Sequence, residues 1–457
     1  MTIESDRKNK TIVEENTPLL PETQESDVGF HGASFSSSVF NLSTTIIGAG
    51  IMGLPACVKK LGMVPGLIAI ILTPLLTKKS IDFLIKFSRA GNISSYGSLM
   101  DDSFGKYGKA LVQMCITVNN IGCLIVYMII IGDVVSGTSS SGTHHFGILE
   151  GWFGIHWYTG RIFILFFTTL VILAPLVSFK RIDSLRFTSA LSVGLAGIFL
   201  IIAMGISIIK IISGGIRIPR LFPIITDASI FKMFTTVPVL VTAYNCHSNV
   251  HSINNELKDS IHMQGVVKTS IVLCCFVYLL TSFFGFLLFG EETLDNVLAN
   301  FDTDLGIPFG FILNDVVRVS YALHLVFVFP VLFYAVRINI DGLVFSSSST
   351  RPLIIDNYRF FSITFFLVSI IFLGAVFIPS IWNIFQFTGA TTAVCVGYIF
   401  PAAITLRDKY CIATKTDKII SVLMIVIAML SSVVATYSNA YALIKKNEAD
   451  HYFQIKK

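Results

Sequence analysis

The stretch TTIIGAGIMGLP, residues 44–55, decides how this chain folds. It interrupts a long apolar run with Gly48, Gly50 and Gly53, which hold the backbone loosely, and with Pro55, which has no N–H to donate. In hydrocarbon every backbone polar group needs a partner, so a helix that crosses lipid has every reason to stay regular. A break at this place must do something that an unbroken helix cannot.

The remainder of the chain identifies the solvent. Of 457 residues, 53% are hydrophobic and 13% charged, the mean hydropathy is +0.75, and Phe alone occurs 39 times. A water-soluble fold could not hide that much apolar surface, so the sequence reads as an all-α polytopic membrane protein embedded in a lipid bilayer. The net charge of +5 is spread over short loops and forms no nucleic-acid patch. Cys57, Cys115, Cys123, Cys246, Cys274, Cys275, Cys395 and Cys411 lie in or beside apolar runs, without CxxC or zinc spacing. No disulfide framework, metal or cofactor is expected from them.

Eleven apolar runs are long enough to span, at 36–58, 63–85, 109–136, 160–179, 188–212, 229–252, 265–290, 311–336, 359–378, 380–405 and 418–442, with ten or twelve as neighbouring counts. Pro379-Ser380 separates the ninth from the tenth. The expected organisation is a polar N-terminal tail over 1–34, one set of five spans over 35–212 and a second over 213–405. A loop with the eleventh span follows over 406–442, then a tail over 443–457. No apolar core follows Met1, so no signal peptide is expected. Within the tail, EENTPLL places Glu15 ahead of Leu19 and Leu20 at the spacing of an acidic dileucine sorting signal, which cytosolic adaptors would read; a chance Leu pair fits the same residues.

Lys and Arg fix the expected orientation. With the N-terminus inside, the cytosolic loops hold sixteen basic residues, among them Lys86, Arg89, Lys180, Lys258, Arg359 and Lys409, against seven outside. The stretch 210–232, with Lys210, Arg217, Arg220 and Lys232, runs against that rule, whereas the acidic loop 291–306 suits the outer side.

The two sets of five spans carry matching interruptions. Opposite GAGIMGLP in the first span stands VPVLVTAYNCHSNVHSINNEL, 237–257, in the sixth, where Thr242, Tyr244, Asn245, His247, Ser248, Asn249 and His251 crowd an apolar run. Paired breaks at corresponding positions point to an inverted-repeat secondary transporter with its site near the midplane. Unwinding at Gly48, Ala49, Gly50, Ile51 and Gly53 exposes N–H groups at the start of a half-helix, a cradle for a carboxylate. Carbonyls freed around Tyr244, Asn245 and Cys246 suit an α-ammonium. The same glycines also serve close helix packing.

SVFNLSTTIIGAGIMGLP (38–55) and TAYNCHSNVHSINNEL (242–257) resemble the first- and sixth-span signatures of the amino acid/auxin permease family. With IDFLIKFSRAG (81–91) and VNNIGCLIVYMIIIGD (118–133), the resemblance is nearest the plant vacuolar amino acid transporters, a branch related to the animal sodium-coupled neutral amino acid transporters. It implies a LeuT-like five-plus-five inverted repeat with an eleventh helix, a cytosolic N-terminus and ion-coupled transport of free amino acids. It also implies a third-span hydroxyl near the carboxylate, for which Tyr127 is the candidate, and a sodium cage with Asn41 and Thr45 on the first span.

The eighth span argues against that cage. Val326, Phe327, Val328 and Phe329 precede Pro330 where the sodium-coupled members carry a hydroxyl, and Ser320 lies almost three turns earlier. Protons need only a titratable group, and His324 and His247 stand inside spans. For His324 a neutral imidazole bonded to Ser320 at i−4 fits equally. Asp133 reads as a coupling or an interfacial carboxylate, Asp315 and Arg318 as a structural pair, and Lys78 and Lys86, flanking Asp82 at i±4, as snorkelling towards the cytosolic face. Asn119, Asn120, Gln386 and Thr388 are candidates to line the path.

No HExxH or GxSxG occurs, which excludes the usual intramembrane enzyme chemistries, and no repeated charge ring or filter suggests a channel. The expectation is proton-coupled export of amino acids from vacuole lumen to cytosol by alternating access. A sodium symporter of the plasma membrane and an amino acid sensor are the alternatives.

Overall fold

In the computed structural model, residues 32–140, 143–216, 219–223, 233–302, 306–345, 353–378 and 381–455 are described. The sorting motif at Glu15, Leu19 and Leu20 and the boundary at Pro379-Ser380 lie outside them. The first span is two helices, Phe35–Ile46 and Gly50–Leu61, bent by 53°. The second to fifth are Met63–Ala90, Tyr96–Ser136, Arg161–Val177 and Arg186–Ile212. The sixth is again broken, into Thr236–Ala243 and His247–Glu256. Met263–Phe289, Gly310–Val344, Asn357–Phe377, Ile381–Arg407 and Lys415–Ile455 follow as the seventh to eleventh.

Seven described helices are long and apolar enough to cross a membrane, and the bent first pair makes eight. The other three fall short for visible reasons. Charges at Lys78, Lys79, Asp82 and Lys86 dilute the second span, the fourth is short, and the sixth is divided. Among the described residues the architecture is all-α apart from a small hairpin, Thr138–Ser140 with Thr143–His145.

Burial ranks the spans. The apolar stretches of the third and eighth are 83% and 78% buried, and the two pack on each other; those of the fifth and eleventh are 33% and 28% buried. Leu75, Val272, Phe365 and Val433 turn outward, as a lipid-facing surface requires. The third helix starts earlier than its apolar run: Ser95 caps it by accepting from the Ser98 N–H at 3.0 Å, and a kink at Gly105 (φ +73) separates that polar first turn from the span.

Three further features were not expected from the sequence. The tenth span contains π-helical turns at Gly389–Ala393 and Cys395–Ile399, which free carbonyls from its own ladder. Ser80 of the second span donates to Gly397, Tyr96 of the third to Val396 at 2.8 Å, and Ser432 of the eleventh to Ala390. Asp315 and Arg318 do not pair directly. Arg318 donates to the carbonyls of Phe146 (2.6 Å) and Val134 (3.4 Å), while Asp315 accepts from Trp152 (3.2 Å). Lys78 meets Asp82 at 2.6 Å, and Lys86 meets Asp417 (2.9 Å), which also holds Lys79 (2.8 Å).

Asp417 therefore ties the otherwise lipid-facing eleventh span to the second. Replacing Asp417 by Asn should destabilise the solubilised protein by about 1–2 kcal/mol, discounted for the part-exposed lysines, with a smaller effect at high salt. Thermal unfolding in detergent at low and high ionic strength reads both.

Candidate functional site

The backbone at the first break leaves the helix at Ile47, whose N–H still reaches Ser43 at 2.7 Å. The new helix opens with short-range bonds, Ile51 N–H to Gly48 O (3.3 Å) and Met52 N–H to Ala49 O (3.2 Å). Among the described residues, the N–H groups of Ala49 and Gly50 at this helix N-terminus have no backbone partner, and the Ala49 N–H is met by the Tyr127 hydroxyl.

The glycines divide the work. A Cβ on Gly48 would collide with the Tyr127 hydroxyl, so the third-span tyrosine does stand against the break. Gly50 instead faces the sixth span: a Cβ there would lie 2.7 Å from Ala243 Cα, and one on Gly53 3.2 Å from Val239 Cγ1. At those two positions the packing role is the visible one, and it presses the two broken spans together. Pro55 is accommodated by Gly285 of the seventh span, where a Cβ would lie 3.1 Å from its ring.

Phenols collect the released carbonyls. Tyr321 of the eighth span donates to Gly48 O at 2.6 Å, and the Tyr278 hydroxyl of the seventh lies between Ile46 O and Ala243 O. Tyr244 points out of the break, donating to Ile70 O of the second span at 3.1 Å, so its side chain does not face the space between the breaks. Asn245 and Cys246 form the turn between the sixth-span helices, with Cys246 wholly buried. Tyr127, Tyr244, Tyr278 and Tyr321 are all buried.

His247 begins the second sixth-span helix with Nδ1 3.1 Å from Asn245 Oδ1 and Nε2 3.1 Å from Ser80 Oγ. Because Ser80 passes its own hydrogen to Gly397, it receives one from His247. His324 does not bond Ser320. Its Nδ1 lies 2.8 Å from Ser192 O and 2.9 Å from Ser192 Oγ of the fifth span, while Ser320 donates to Val317 O of its own helix at 3.0 Å. The i−4 hydroxyl loses because it already closes a bond along the helix. Nε2 of His324 is buried without a partner, close to the Ile47 backbone at the first break.

Of the proposed sodium oxygens, Thr45 Oγ1 is engaged, whereas Asn41 Oδ1 is buried without a hydrogen-bond partner. Thr45 Oγ1 donates to Asn41 O (2.9 Å) and accepts from Asn249 (3.2 Å), a sixth-span residue that also reaches Val331 O (3.3 Å). Asp133 forms an ion pair with Arg161 that joins the third span to the fourth. Asn119 donates to Asn120, Asn120 to Ser248, and Thr388 to its own helix at Ile384 O. Gln386 is buried in the tenth span. Ser80, Ser192, Tyr278 and Tyr321 went unnoticed in the sequence, whereas Asn249 stood out within the polar run of the sixth span.

Two broken spans, pressed together and met by donors from the third, seventh and eighth spans, define a secondary transporter of LeuT-like fold. Residues 31–444 match the model of the family described as transmembrane amino acid transporter protein, and the chain belongs to that family. It is 61% identical to amino acid transporter AVT6A of Arabidopsis thaliana over 94% of each chain. Identity to AVT6B of the same plant is 59%, over 95% of this chain and 96% of that one. Among solved structures, a manganese transporter of Eremococcus coleocola aligns with TM-score 0.53 and 11% identity, over 89% of this chain and 86% of its own. A Na+-coupled sialic acid symporter aligns with TM-score 0.51 and 12% identity, over 88% and 89%. Those two likenesses concern the fold alone; the family makes the chain an amino acid transporter and not an enzyme.

The two packing glycines give a graded test. Gly50→Ala drives its methyl into the Ala243 backbone and should cut amino acid flux in proteoliposomes by more than about tenfold, whereas Gly53→Ala meets only a movable Val239 methyl and should keep at least about half. Equal effects of the two would contradict the assigned contacts.

Proposed function

We propose that the chain moves amino acids from the lumen of an acidic compartment, the vacuole, to the cytosol, driven by protons and working by alternating access. The observation that carries this reading is His324. It is fully buried, its Nδ1 is engaged by Ser192, and its Nε2 waits unpaired beside the backbone of the first break. Protonation at Nε2 creates a donor aimed at that backbone and a charge that has to be compensated there. The carboxylate of an amino acid in the cradle at Ala49 and Gly50 supplies the compensation, so proton and substrate stabilise each other at one place. The apolar residues Val326, Phe327, Val328 and Phe329 ahead of Pro330 support protons over sodium, since a hard cation needs oxygen ligands.

Orientation has support from the pairing of charges. At one end Lys79, Lys86, Lys409 and Lys418 gather with Asp417, Asp102 and Asp408. At the other, the basic residues that run against a cytosolic N-terminus are met by the acidic loop, Lys60 with Asp295 (3.4 Å) and Arg220 with Glu291 (3.6 Å). A polar cavity of about 180 Å³, lined by Ser88, Arg89, His251, Asn254, Asn255 and Ser260, opens at the first of these ends, on the side where release to the cytosol belongs. The first and sixth spans would then rock against the third and eighth.

His324→Gln keeps a polar side chain of similar reach and removes the titration. With protein in detergent and weak buffer, adding an equimolar pool of amino acids should draw protons onto the wild type and leave the bulk pH unchanged for His324→Gln, while the variant still binds. Equal proton uptake by both would remove His324 from the coupling role.

A further inference from the structure

Tyr278 has no part in the transport reading so far, yet it touches both breaks. Its ring is fully buried in the seventh span, edge-on to Tyr244 with centroids 5.0 Å apart. The hydroxyl lies between Ile46 O, on the last residue of the first half of span one, and Ala243 O (2.9 Å), on the last residue of the first half of span six. These are corresponding carbonyls: each ends a half-helix and has lost its own ladder partner to the break. One turn earlier, Cys274 Sγ approaches Ser43 O at 3.8 Å, which keeps the same face of the seventh span against the first.

A phenol has one hydrogen to donate. Shared between two carbonyls, it bonds either one fully only by weakening the other. We propose that Tyr278 is the positioning residue that joins the two breaks, and that an amino acid's α-ammonium works it. The inference deepens the amino acid transport reading and rests on it. When the ammonium donates to Ala243 O, the Tyr278 hydroxyl turns to Ile46 O; the hydroxyl keeps its proton and only the hydrogen bond changes partner. Occupancy at the sixth-span break is thereby felt at the end of the first half-helix, next to Gly48, which Tyr321 holds. Gly50 against Ala243 keeps the two carbonyl ends close enough for one hydroxyl to serve both.

The test uses the full chain, purified and returned to proteoliposomes, with the most strongly transported member of an equimolar amino acid pool as the probe. Tyr278→Phe preserves the ring packing and removes the shared donor. Its turnover should fall about tenfold with the probe's Kd within about threefold of wild type, because the donor acts on the passage between states more than on the bound one. Unchanged turnover, or Kd weakened in proportion to turnover, would overturn the proposal. Should Tyr278→Phe fail to fold, 3,5-difluorotyrosine in place of Tyr278 keeps ring and hydroxyl and strengthens the donor. Altered turnover at unchanged Kd is again expected, and unaltered turnover would overturn the proposal. Wild type that neither binds nor moves any member of the pool would overturn the transport reading itself, an outcome separate from any behaviour of the variants.

Discussion

A carbonyl or N–H released inside a bilayer has no water to fall back on, and the structure is arranged around that constraint. Two helices are broken near the middle of the molecule, and phenols of the seventh and eighth spans answer carbonyls set free. Tyr278 serves Ile46 and Ala243, and Tyr321 serves Gly48. The tenth span follows the same rule with its π turns, whose loose carbonyls receive Ser80, Tyr96 and Ser432. Among the groups left without a hydrogen-bond partner beside the first break are the Gly50 N–H and the imidazole Nε2 of His324, the groups on which the proposed coupling of substrate and proton rests.

The two breaks do not act as separate devices. Gly50 sets the first span directly on Ala243 of the sixth, and at the basic end the chain entering the first span is stitched to the chain leaving the sixth. There Ala33 N–H donates to Glu256 O at 2.6 Å, and Lys258 N–H to Ala33 O at 3.1 Å. Movement of one broken span therefore carries the other, against a frame in which the deeply buried third and eighth spans pack on each other. In the proposed cycle, coupling between substrate and proton would draw on this mechanical union as much as on chemistry at any single side chain.

The spans and both breaks were legible because they depend on local composition: apolar runs of bilayer length, glycines where a helix should be regular, amides and histidines where lipid forbids them. The partners were not. A tyrosine in an apolar run looks alike whether its hydroxyl meets a break, as Tyr278 and Tyr321 do, or the backbone of an intact neighbouring helix, as Tyr244 does at Ile70. Spacing suggested Asp315 with Arg318 and His324 with Ser320, and both pairings yield to carbonyls or hydroxyls that only the folded bundle brings near. Register along one helix could not reveal competitors on another.

The account stands or falls on what drives flux. The purified protein in sealed vesicles, with the membrane potential clamped, should accumulate amino acids from a mixed pool under an imposed pH gradient and should ignore a sodium gradient of equal size. Accumulation that follows sodium and disregards pH would contradict the account, since it would require a cation site where the eighth span is apolar and His324 would be left without a role.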